Sequence, residues 1–178
     1  LYVRADLFAN RFHDFIESRV IADTSNVTFF TYDNVGRGFA RGVDLEAVLR
    51  LGLVRVDAGW GALRAWDAAT DLPLLGRPRA NARLGVSAGT PGGLTGSITG
   101  VWTGRTPVAV DVNQELAERT GFLRVNARAA QTVLRGPGGE WRFELGVNNL
   151  FETRPQLWPG FTGRQLYTGL SWRAGRAV

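Results

Sequence analysis

Alternation of apolar and polar residues with a period of two runs through most of this chain, and it constrains the fold more than any motif does. Side chains at i, i+2 and i+4 share one face of a strand, so strict alternation marks strands whose two faces meet different surroundings. Leu1, Val3, Ala5, Leu7 and Ala9 oppose Tyr2, Arg4, Asp6, Phe8 and Asn10. Phe39, Val43, Leu45, Ala47 and Leu49 oppose Asp44, Glu46 and Arg50; Val54, Val56, Ala58, Trp60 and Ala62 oppose Arg55 and Asp57. Ala80, Ala82, Leu84, Val86 and Ala88 face away from Arg79, Asn81, Arg83 and Ser87, and Ile98 and Trp102 face away from Thr95, Ser97 and Thr99. Three later runs repeat the pattern: Leu123 to Ala129 against Arg124, Asn126 and Arg128; Trp141 to Val147 against Arg142, Glu144 and Asn148; Leu166 to Trp172 against Tyr167, Ser171 and Arg173. Eight strands are predicted, and no helix competes with them.

Two features say what the apolar faces meet. Seven of the eight carry no charge, the exception being Arg41, whose long stem can snorkel to an interface. The connections also alternate in length: 16–28, 67–77, 105–121 and 152–163 are long, whereas 50–53, 90–93 and 136–139 are tight, with "PGG" and "GPGG" in two of them. Long loops on one rim and short turns on the other describe an antiparallel transmembrane β-barrel. In hydrocarbon every backbone polar group needs an internal partner, so strands persist there only in a closed barrel. The charge-free faces are then expected to meet lipid, and the Arg/Asp/Glu/Asn faces a polar lumen. Tyr2, Trp60, Trp66, Trp102, Phe122, Trp141, Phe151 and Trp172 are expected near strand ends as an aromatic girdle.

Composition narrows the alternatives. No run of about 18 apolar residues is present, so no membrane-spanning helix is predicted. Cysteine is absent, which excludes disulfides and thiolate metal sites. All 21 basic residues are arginine and are interleaved with 16 acids, without the basic cluster that nucleic acid requires. Methionine is absent, and the abrupt start "LYVRADLFAN" predicts a segment of a longer protein; no signal peptide is seen within it.

Four segments carry a resemblance. "NVGRGFARGVDLEAVLRL" (34–51) resembles the Asn-Val-Gly…Arg-Gly-Val-Glu-Leu-Glu strand of TonB-dependent outer-membrane receptors, and "LGRPRANARLGV" is similar to the start of the strand that follows. "LGVNNLFETRP" (145–155) resembles the family's penultimate strand, Gly-Val-x-Asn-Leu-Phe-Asp-x-x-Tyr, with Glu152 and Pro155 departing from the pattern. "PGFTGRQLYTGLSWR" is similar to its final strand, although Trp172 is followed by Arg173 and Ala174 instead of a terminal aromatic. The resemblance implies that 1–178 is the C-terminal barrel portion, about eight strands of a 22-stranded barrel, with the plug domain and earlier strands absent from this chain. It implies a bacterial outer-membrane receptor that takes up a scarce nutrient, a ferric siderophore before haem, cobalamin or a glycan, with no catalytic role and no cofactor. Implied partners are outer-membrane lipid and lipopolysaccharide, the barrel assembly machinery, TonB acting through the plug, and the metal chelate or other small nutrient. Gly169, Leu170 and Trp172 retain part of the implied membrane-insertion signal.

No catalytic or metal constellation is visible. His13, the single histidine, reads as an exposed loop residue beside Arg11, Asp14 and Glu17. The "TPGG" and "GPGG" stretches lack the lysine and helix of a phosphate loop and read as turns. Substrate contacts implied by the resemblance fall on external loops, with Arg105, Arg119, Trp158, Phe161 and Arg164 as candidates, since guanidinium and aromatic groups suit an anionic or aromatic chelate. The same residues also fit pairing with lipopolysaccharide phosphates, or plain solvation. Two rival architectures stay open: a self-contained eight-stranded membrane barrel with a structural or adhesive role, and a soluble barrel whose apolar faces enclose a lipophile. Within "LGVNNLFETRP", Asn148 and Asn149 are expected to end the apolar face, with Leu150 and Phe151 at the outer interface.

Overall fold

The computed structural model describes residues 1–24, 27–110, 116–136, 138–154 and 163–174, with side chains described except at 17–24, 27–30, 33–35 and 109–110. Every described element is a strand or a turn. The strands are β1 (Tyr2–Thr24), β2 (Val27–Leu51), β3 (Val54–Asp67), β4 (Ala80–Gly89), β5 (Leu94–Thr103), β6 (Thr106–Val110), β7 (Leu116–Arg119), β8 (Phe122–Gly136), β9 (Gly139–Asn148) and β10 (Gln165–Ala174). Eight of them form one antiparallel sheet in the order β1-β2-β3-β4-β5-β8-β9-β10, while β6 and β7 make a separate hairpin within the 105–121 connection. All eight sequence-predicted strands are present, in a meander. β1 and β10 are the two sheet edges, so the barrel is not closed within this chain.

Register fixes the faces. Directly paired residues point the same way, and the rows Ala5–Leu45–Trp60–Ala82–Trp102–Leu123 and Val3–Ala47–Ala58–Leu84–Gly100–Val125 run across the sheet without a charge. The opposite face carries Arg4–Glu46–Gly59–Arg83–Val101–Arg124. A one-residue slip anywhere would exchange the two faces, so a two-faced environment specifies this register. The apolar side is bare: Leu84 is 55% exposed, Ile98 57% and Leu145 51%. Among the described residues the buried hydrophobics are Ala40, Ala65, Leu74 and Ala130. The sheet exposes 12445 Å², about half as much again as the roughly 8500 Å² expected of a water-soluble monomer of this mass. Its apolar face needs an external apolar medium.

The tight turns are built as the sequence predicts. Gly52, Gly93 and Gly139 adopt φ of 56°, 87° and 138°, values that a side chain would strain, at the β2–β3, β4–β5 and β8–β9 reversals. The opposite rim differs from expectation in two places. Residues 16–28 were expected to be a loop, yet β1 and β2 continue as a paired ladder to Thr24↔Val27, with a bulge at Val20/Ala22. At 23 and 25 residues these strands far exceed the roughly 9–11 residues needed to span a bilayer, so the hairpin projects beyond it. His13 accordingly lies on β1 opposite Arg37, exposed on a strand and not in a loop. The girdle expectation is also corrected. Trp66, Trp102, Trp141 and Trp172 lie on the apolar face near strand ends, but Tyr2 and Phe122 pair into rows of the charged face, and Trp60 sits mid-strand.

Candidate functional site

Two surfaces carry chemistry: the charged face of the sheet and the rim formed by its long connections. On the charged face, arginines meet carboxylates along and across strands. Arg4 Nε lies 2.7 Å from Asp6. Asp57 lies between Arg55 at 3.9 Å and Arg83 at 3.7 Å, and Glu140 between Arg135 and Arg173, both at 3.4 Å. Arg128 pairs with Glu144, and Arg142 reaches Thr95 two strands away. Glycines make room for this network. A Cβ on Gly61 would stand 2.5 Å from Asp44 Oδ1, and one on Gly85 2.5 Å from Asp57 Oδ2. Gly146 is covered in the same way by the Tyr167 ring. Side chains on one strand therefore lie down over glycines of the next.

At the rim, the connection after β3 turns back on itself. Asp67 N donates to Leu72 O at 2.9 Å, Asp67 Oδ1 accepts from Ala69 N, and Asp71 takes a left-handed φ of 56°. This delivers Leu74 onto Ala40 and Ala65, a small buried cluster midway along β2 and near the end of β3. Two backbone bonds then join this connection to the next: Gly76 N donates to Pro107 O at 2.7 Å, and Arg79 N to Arg105 O at 3.0 Å. The Arg79 guanidinium adds an ion pair to Glu118 on β7 at 2.5 Å. Between these pieces lies an open hollow of about 390 Å³, bordered by Arg64, Trp66, Leu74, Arg77, Arg79 and Pro107. Arg77 also borders a second hollow of about 300 Å³, shared with Phe15, Ile16, Val108 and Arg119. Guanidinium groups beside apolar and aromatic walls offer charge pairing and stacking to an anionic ligand.

The sequence-predicted contact residues divide three ways. Arg105 and Arg119 meet in one hairpin, since Arg119 pairs with Thr106 next to Arg105. Arg164 belongs to the β9–β10 connection, where it lies 3.5 Å from Glu152, the carboxylate that Arg154 also holds. Trp158 and Phe161 lie outside the described residues. Sequence reasoning missed Arg77 and Arg79, which were absorbed into the β4 strand-start motif. Their spacing of two, on either side of Pro78 and just before a strand, was the available signal. Of the residues expected to carry an insertion signal, Leu170 and Trp172 pair with Phe143 and Trp141 on the apolar face, and Gly169 pairs with Glu144 on the charged face.

The end of β9 is more ordered than its sequence suggested. Asn149 is buried and left-handed, with φ of 53°. Its N–H donates to Asn126 Oδ1, and its side chain both donates to Thr153 O and accepts from Thr153 N, all at 2.9 Å. Leu150 N and Thr153 Oγ1 bond back to β8 at Val125 O and Leu123 O. Asn149 thus closes a turn that is latched to the neighbouring strand, and does more than mark an edge of the apolar face.

The fold is similar to that of several solved transporters and receptors. The chain superposes on the copper transporter OprC with a TM-score of 0.72 at 20% identity, covering 94% of this chain and 28% of that one. The ferric enterobactin receptor PfeA of Pseudomonas aeruginosa gives 0.72 at 15% identity, with the same coverage of 94% and 28%. The siderophore receptor PirA of Acinetobacter baumannii gives 0.68 at 16%, covering 94% and 29%. The chain therefore spans less than a third of the length of these structures. No curated protein matches it in sequence. The sequence model of the family described as TonB dependent receptor-like, beta-barrel, matches residues 1–150, most of the chain, and the chain belongs to that family.

Proposed function

We propose that this chain is the C-terminal barrel wall of an outer-membrane receptor that takes up a scarce nutrient with energy supplied through TonB. The observation that carries the reading is the division of one sheet into a bare apolar face and a charged face rich in ion pairs. Such a sheet suits lipid on one side and a wet lumen on the other. Two sheet edges left open at β1 and β10 are in keeping with further strands and a plug contributed by other parts of a 22-stranded receptor. In a self-contained eight-stranded barrel, β1 and β10 would pair. A soluble barrel would turn its apolar face inward, which the bare apolar side does not favour.

In this reading Arg77, Arg79, Arg105 and Arg119 form part of the ligand vestibule. A ferric siderophore is the first candidate ligand, because a ferric catecholate is both anionic and aromatic; haem, cobalamin, a glycan or a copper species are the others. TonB would act through the plug, the barrel assembly machinery would recognise β10, and lipopolysaccharide would surround the outer rim. The wall performs no bond chemistry. The test is uptake of labelled ferric siderophores, haem, cobalamin and copper by cells with and without the encoding gene, each with and without TonB. Loss of uptake of one ligand class in both deletions is expected. Unchanged uptake of every class would overturn the reading.

A further inference from the structure

The apolar face does not stay apolar to the end of its strands. Continuing the same side of the sheet beyond Val43 and Ala62, the next row is Ala9–Arg41–Arg64, and the row after it is Arg11–Phe39–Trp66. Arg41 and Arg64 are directly opposite each other across β2 and β3, an arrangement of like charges that costs stability in a sheet. They flank one ring: Arg41 Cζ is 5.3 Å and Arg64 Cζ 5.0 Å from the Trp66 centroid. Trp66 stacks on Phe39 at 5.5 Å, and Arg11 lies over Phe39 at 5.0 Å. The carboxylate that meets this group is Asp71, 3.6 Å from Arg64. Among the described residues, three guanidinium groups on an aromatic platform thus face outward with one acid among them.

Height locates the cluster. Arg41 is ten positions from Leu51, and Arg64 ten from Val54, at the tight-turn end. At about 3.3 Å per residue and a tilt of about 40°, ten residues rise about 25 Å, the thickness of the apolar band of such barrels. The arginines therefore stand where hydrocarbon gives way to headgroups on the long-loop side.

We infer that Arg11, Arg41 and Arg64 form a binding site for a phosphorylated glycolipid of the outer leaflet, one phosphate bridging Arg41 and Arg64. A shared anion turns the like-charge pair into two charge-assisted contacts, and the Phe39–Trp66 platform holds the guanidinium groups in place. This inference rests on the membrane reading above, and not on which nutrient is carried.

The test uses the full-length receptor purified from outer membranes in mild detergent, with native mass spectrometry of retained glycolipid. The Arg41→Gln/Arg64→Gln double variant is expected to retain at least about tenfold less than the parent. On the parent itself, phosphorylated glycolipid is expected to displace bound lipid, whereas the dephosphorylated form and inorganic phosphate at millimolar concentration are not. Equal retention by a variant that keeps its heat-modifiable gel mobility would overturn the site. Should the variant fail to assemble, equal displacement by phosphorylated and dephosphorylated glycolipid on the parent would overturn it just as well. Displacement by free phosphate alone would mean an anion site without a lipid. A parent protein that is absent from outer membranes and shows no heat-modifiable mobility would instead defeat the membrane reading.

Discussion

The same residue type is treated in two ways on the two sides of this sheet. On the charged face, Arg4, Arg55, Arg83, Arg128, Arg135 and Arg173 each lie beside a carboxylate. On the other face, Arg11, Arg41 and Arg64 lie over the rings of Phe39 and Trp66. An ion pair suits a wet channel, where water reaches at least the guanidinium and the pair is worth about 1 kcal/mol or less. A guanidinium on an aromatic ring suits a boundary, because its stem and platform tolerate an apolar neighbour while its charge reaches outward. Position relative to the membrane, more than residue identity, sets the partner.

The strongest way to break this contrast is to place a charge inside the apolar band. Leu84→Arg, mid-strand on the lipid side, is expected to cost about 2–4 kcal/mol and to abolish the heat-modifiable folded band. An unchanged unfolding midpoint in urea would reverse the face assignment. Next in size is overfilling of the charged face. Gly85→Ala brings a methyl onto the Asp57 carboxylate and is expected to cost about 1–3 kcal/mol. If the Asp57→Ala background left that cost unchanged, the Asp57 side chain would not be the obstacle. Leu145→Asp should lower assembly yield clearly, by about 1–2 kcal/mol given the smaller penalty for acids, whereas Asn148→Asp should leave it intact; equal yields for the two would erase the distinction between faces. The smallest effect belongs to the ion pairs. Glu144→Gln, which removes the partner of Arg128, is expected to shift stability by no more than about 1 kcal/mol, and less at high salt. A larger, salt-independent loss would mean that the lumen side is drier than its exposure implies.

The strands and their faces were legible because alternation reports directly on a two-sided environment, and neighbours such as Leu84 and Arg83 announce opposite faces by themselves. The far rim was not. Beyond Ala9 and Ala62 the apolar side turns to Arg11, Arg64 and Trp66, so the pattern ends while the ladder continues. Backbone pairing carries β1 and β2 onward without a hydrophobic period to reveal it. The candidate contacts were legible only as a residue type. Arg105 and Arg119 came together because β6 pairs with β7, a short hairpin without alternation of its own. Arg77 and Arg79 entered the rim through the turn that buries Leu74, a long-range contact that local sequence does not encode. The Asn149 latch needed Asn126, 23 residues earlier, to be recognised at all.

Glycines beneath neighbouring side chains have a consequence for the channel as a space. Asp44, Asp57 and Tyr167 lie sideways across Gly61, Gly85 and Gly146 instead of projecting from the wall. Their functional groups remain available, but these three side chains add little relief to the wall. What stands out from this side is then mostly guanidinium, as at Arg55, Arg83, Arg128 and Arg173 with side chains 45–79% exposed, so a solute resting against it meets many weak contacts that exchange one for another.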